Sequence, residues 1–176
     1  MAAGCSSGEG GEPLPMPDGS TTPAEASESP GNSSATEPGA TPLTEIDPCS
    51  VLSSEELAKY GTFPQGSPEN VGSARACTFD KDTDSPTTDP NRVITVAMRD
   101  QQGLDDAVDR GNGIERAEAD GREYARIPST GPCTIAIGVS ATSRVDVTVV
   151  ATEGTEKSCT IADEVAAIVE PRLPQD

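Results

Sequence analysis

No Lys or Arg precedes Lys59 in this chain of 176 residues. Residues 6–44 are almost all Gly, Ser, Thr, Pro, Ala and Glu, with six acids, no base and no aromatic side chain. Such a segment cannot bury enough apolar surface to offset the entropy of ordering it, which predicts a disordered acidic tether. As a flexible coil it would span on the order of 30–40 Å, and its prolines and like charges would extend it. Whatever folds must be built from residues 45–176. These hold all 12 bases, 24 of the 30 acids, four of the five Cys and all four aromatic side chains. That length suits one globular domain, with a core light in aromatic side chains.

The net charge of −18 argues against nucleic-acid binding and against a basic patch on an anionic membrane, since both need Lys and Arg facing phosphates. The absence of His removes the commonest general base, the usual catalytic triads and most zinc and iron sites. No run reaches the roughly 18–20 apolar residues of a spanning helix, so the sequence as written reads as soluble.

Ser53-Ser54-Glu55-Glu56 has the form of a capping box, with Leu52 and Leu57 as a hydrophobic staple and Gly61 as the stop of a short helix. Period-two alternation then marks strands in which Cys77 and Phe79, then Ile94, Val96 and Met98, share a face. Ala125 and Ile127 read as core, with Arg122, Tyr124 and Arg126 opposite. Cys133, Ile135, Ile137 and Val139 form one face of the next strand, and Val145, Val147 and Val149 one face of the last. Those two strands should form a hairpin, and burying both apolar sets on one face favours a three-residue loop at about Ala141–Ser143. Leu104 to Arg110 reads as a short helix, and Ile114 to Ala119 as a further strand. Ile161, Val165, Ile168 and Val169 recur at helical spacing before Pro171 and Pro174, which predicts a C-terminal helix. The expected fold is α+β in two layers: an antiparallel sheet of about five or six strands with N- and C-terminal helices packed on one face.

Cys49, Cys77, Cys133 and Cys159 form an even set without CxxC spacing, which favours two disulfides and an oxidising compartment over zinc or buried thiols. Three connectivities exist. Cys77 and Cys133 both sit on apolar strand faces, while Cys49 and Cys159 both lie near the starts of the terminal helices, so like position predicts Cys49–Cys159 and Cys77–Cys133. The fifth, Cys5, follows Ala2-Ala3-Gly4 as in the end of a bacterial lipoprotein signal, where a Cys takes a diacylglycerol on sulfur before cleavage. On this reading residues 1–5 are the remnant of that signal, whose basic and apolar regions would lie upstream of Met1. The protein would then be anchored by lipid to the outer face of the cytoplasmic membrane.

Pro48-Cys49-Ser50-Val51-Leu52-Ser53 with Glu56-Leu57 and Gly61, then Cys77-Thr78-Phe79, Cys133-Thr134-Ile135 and a Cys159 opening a helix that ends in Leu173-Pro174, resembles the actinobacterial lipoproteins of domain of unknown function 3558. The resemblance covers roughly residues 46–174. In that family the aromatic two residues after the second Cys is often Trp, and here it is Phe79. The resemblance implies a secreted, membrane-anchored envelope protein and brings neither an activity nor site residues.

Asp80, Asp82 and Asp84 resemble the start of a calcium loop, but Ser85 stands where Gly is needed and Asn91 where a bidentate Glu belongs, which favours an acidic hairpin loop. No metal or other cofactor is expected. Arg122, Tyr124 and Arg126 concentrate two bases and an aromatic on one strand face, the best candidate surface for an anionic ligand or a partner. The expected function is a tethered, non-enzymatic module that binds an envelope ligand or protein. A carboxylate-based hydrolase and a cytosolic structural protein with reduced thiols are the alternatives.

Overall fold

The structure, a computed structural model, describes residues 42–175 apart from residue 86. The predicted signal remnant and nearly all of the predicted tether, Cys5 included, lie outside these residues. Seven strands form one antiparallel sheet: β1 (Ser67–Val71), β2 (Ala74–Asp80), β3 (Arg92–Arg99), β4 (Glu115–Ala119), β5 (Arg122–Pro128), β6 (Pro132–Ser140) and β7 (Ser143–Ala151). Their order across the sheet is β1-β2-β3-β7-β6-β5-β4, and a single helix, α1 (Thr155–Val169), follows the last strand.

Alternation decides which face is buried. Cys77 and Phe79 of β2, Ile94, Val96 and Met98 of β3, Val145, Val147 and Val149 of β7 and Ile135 and Ile137 of β6 turn inward together. Helix α1 packs on β6 and β7 through Ile161, Val165 and Val169, each fully buried. Burying each of those side chains stabilises the fold by about 1.5–3 kcal/mol. Over β2 and β3 the same face is closed by the N-terminal segment, which contributes Leu43, Val51, Leu52, Leu57, Tyr60 and Phe63.

The predicted two-layer frame is therefore corrected in three places. The strand count is seven rather than five or six, because β1 is exposed at every position and carries Pro68, and so lacks the alternation that marks a half-buried strand. The predicted N-terminal helix does not form. Residues 42–61 instead make isolated 3-10 turns at Leu43–Glu45, Pro48–Ser50 and Ala58–Tyr60, so among the described residues one α-helix covers the sheet. One half of the capping box survives: the Glu56 carboxylate accepts from the Ser53 amide at 3.0 Å. The Ser53 hydroxyl, however, donates to that same carboxylate, and a stretch this short does not repay helix nucleation. Gly61 still ends the segment with φ +136°, and a Cβ there would stand 2.3 Å from Lys81 Cε. Finally, the helix predicted at Leu104–Arg110 is a single 3-10 turn, Leu104–Asp106.

The β6–β7 hairpin meets the predicted parity by another route. Cys133 pairs with Val149, Ile135 with Val147 and Ile137 with Val145, yet Ser140 pairs with Ser143 across a two-residue turn. A bulge between Gly138 and Ser140 absorbs the extra residue and brings both apolar sets to one face.

Both disulfides form, with partners other than those predicted. Cys49 is bonded to Cys77 and Cys133 to Cys159, with Cα–Cα separations of 5.0 and 4.9 Å. Cys77 and Cys133 do share a face, but β3 and β7 lie between their strands, so they stand about 14 Å apart at the usual strand spacing. A disulfide spans less than about 7 Å. Each strand cysteine is instead met by one from the layer above it: Cys49 ties the N-terminal segment to β2, and Cys159 ties α1 to β6.

Candidate functional site

The predicted stripe Arg122, Tyr124 and Arg126 is opposite Ala125 and Ile127, as the alternation requires, but it faces the helix-covered side of the sheet. Ala125 and Ile127 are buried in a separate cluster with Leu104 and Ala136, under the connection between β3 and β4. The Arg122 guanidinium, 9% exposed, donates from Nε to Glu170 Oε1 at 3.0 Å, from Nη1 to the Gly138 carbonyl at 2.7 Å and from Nη2 to the Pro174 carbonyl at 2.7 Å. It is thereby a clasp holding the C-terminal segment to β6. Tyr124 packs against the core, and burial pushes its hydroxyl above the ordinary range. Arg126, more exposed, lies between Glu115 at 3.6 Å and Asp163 at 3.8 Å. Burial raises the Asp163 carboxyl, against the pull of Arg126.

What this end of the sheet leaves open is a groove of about 540 Å³ between the β3–β4 connection, the β4–β5 turn and the C-terminal segment. Asp105, Asp120, Glu123 and Glu170 bring four carboxylates to its lining against Arg122, which already donates to Glu170 and to two carbonyls. Its chemistry suits polar or cationic groups. Asp80, Asp82 and Asp84 are exposed and do not converge, and no cluster of three or more His, Cys, Asp or Glu with metal-holding geometry occurs among the described residues.

A buried charge network lies on the opposite face of the sheet, unmarked by the apolar alternation. Asp146, 6% exposed, receives Arg144 Nε at 2.8 Å and Arg99 Nε, while Arg144 Nη1 donates to the Gly103 carbonyl at 2.6 Å. This network pins the β3–β4 connection to the sheet face opposite α1. Gly103 is required there, because a Cβ would stand 2.1 Å from the Ala141 carbonyl oxygen. The signal available in sequence was an acid set between Val145 and Val147, two residues after an Arg.

The family model described as Protein of unknown function (DUF3558) matches residues 1–172. The chain belongs to that family. No curated protein and no solved structure matches it. The motif cysteines of this DUF3558 chain are those in the two bridges, and the match also takes in Cys5 and the base-free segment. No helix among the described residues is long and apolar enough to cross a membrane.

Proposed function

We infer that this DUF3558 protein is a lipid-anchored, extracytoplasmic binding module of a bacterial cell envelope, carried on the acidic tether that precedes Pro42 and working without catalysis on a ligand or partner protein, with Leu43, at the end of the segment read as tether, already part of the core. One observation carries the reading: the two bridges take up every cysteine of the domain, and Cys5 is the one cysteine of the sequence beyond it. Paired disulfides fit an oxidising compartment. A single remaining Cys after small residues fits lipidation, and the two acyl chains of a diacylglycerol make detachment slow where one alone holds a protein only marginally. The groove beside Arg122 is the concave surface that such a module offers to a polar or cationic ligand. Cell fractionation tests the reading with Cys5→Ala expressed behind a complete lipoprotein signal. The wild type should fractionate with membranes and the variant should leave them, apart from uncleaved precursor; equal partition of both would count against it.

A further inference from the structure

Among the described residues both edges of the sheet are open strands, exposed throughout, and they differ in what they offer. The Ser129 amide donates to the Pro132 carbonyl at 2.9 Å, so odd-numbered residues of β5 bond toward β6 and even-numbered ones toward β4. Arg122, Tyr124 and Arg126 accordingly exchange backbone bonds with Ala119, Ala117 and Glu115. The amides and carbonyls of Arg116 and Glu118 are left pointing outward from the sheet. On β1 the same reasoning, from Val71 paired with Ala74 across a two-residue turn, turns Pro68 and Asn70 outward. Pro68 has no amide to donate, so that edge is blunted.

We propose that β4 is a homodimerisation edge, pairing antiparallel with β4 of a second copy about a two-fold axis at Ala117. In this register Arg116 opposes Glu118 of the second copy, Glu118 opposes its Arg116, Glu115 opposes Ala119, and Ala117 meets Ala117. The outward backbone groups of Arg116 and Glu118 fall at the hydrogen-bonded positions, and the sheet runs on through both copies. Registers centred on Arg116 or Glu118 would set like charges against each other, which specifies the one at Ala117. Within one copy Glu118 stands directly across from Glu123, an unfavourable like-charge pair that Arg116 of the second copy relieves. Arg116 is now held by Asp105 at 3.0 Å, an exposed pair that is readily exchanged. An equivalent two-fold pairing of β1 would set Glu69 against Glu69, so of the two edges only β4 is self-complementary.

Sedimentation velocity of the full chain over a concentration series at physiological ionic strength tests this. A reversible dimer is expected. Arg116→Glu and Glu118→Arg should each weaken it by roughly tenfold or more, because each sets like charges against each other across the axis. An equimolar mixture of these two variants should restore dimerisation, since every opposed pair is then Glu with Arg. In a Cys5→Ala background, Ala117→Cys should cross-link two copies on mild oxidation, as directly opposed strand residues lie within disulfide reach. A chain that stays monomeric at every concentration overturns the proposal, and so does a dimer that neither charge reversal weakens.

Discussion

Arg172 closes the end of the fold onto Glu56: its Nη1 lies 3.0 Å from the Glu56 carboxylate and 2.7 Å from the Val51 carbonyl, 116 and 121 residues away in sequence. The N-terminal segment, lacking a helix of its own, is thus held by a guanidinium from beyond α1 as well as by the Cys49–Cys77 bridge.

That contact makes stability depend on pH. The Arg172 guanidinium, with smaller help from the Ser53 amide and hydroxyl, holds the Glu56 carboxyl down at about 2 from an ordinary 4.5. A carboxyl depressed in the folded state contributes stability that is fully present above its unfolded value and is lost as pH falls through the folded one. Urea unfolding followed from pH 6 to pH 2 should therefore show a decline between about pH 4.5 and 2 that is smaller in Arg172→Gln. For a partly exposed pair the difference at neutral pH should be on the order of 1 kcal/mol or less.

The bridges close loops with sequence separations of 28 and 26 residues. Loops of that size are worth about 3–4 kcal/mol each in the chain-entropy picture, and commonly about 2–4 in measurement. Non-reducing peptide mapping should recover Cys49 with Cys77 and Cys133 with Cys159. Replacing both cysteines of either pair by Ala should lower the unfolding free energy by about 2–4 kcal/mol in denaturant titration.

Arg122 and Arg126 share a strand face but should respond differently to mutation. Arg122→Ala leaves three acceptors without their donor in a nearly closed site and should cost about 2–4 kcal/mol, and Arg122→Lys should recover only part of that because one ammonium cannot span all three. Arg126→Ala gives up only long, half-exposed ion pairs and should cost less than about 1 kcal/mol. Thermal denaturation of the three variants would rank them.

Local patterns in this chain are legible where packing alone sets them. The inward faces of β3, β6 and β7 and the apolar stripe of α1 follow directly from alternation and helical spacing, because one side of each element must leave water. Partners across the sheet are not legible. Nothing near Cys77 or Cys133 reveals that β3 and β7 separate their strands, so same-face reasoning chose a bridge that the strand order forbids. The side taken by the Arg122 stripe is illegible for a related reason: parity separates two faces without saying which of them the helix covers. Strand β1 gave no signal because an exposed edge strand has no side to bury. Asp146 has the parity of the face away from Val145 and Val147, and only the β3–β4 connection laid over it makes it a buried ion.

Cys5 decides both the anchoring and the envelope location. Mass spectrometry of the N-terminal peptide, taken from the protein made in bacterial cells behind a complete lipoprotein signal, reads that residue directly. It should begin at Cys5 and carry a thioether-linked diacylglycerol. A peptide that continues upstream of Cys5 with its thiol free, from protein recovered in the cytosol, would contradict both the anchoring and the envelope location.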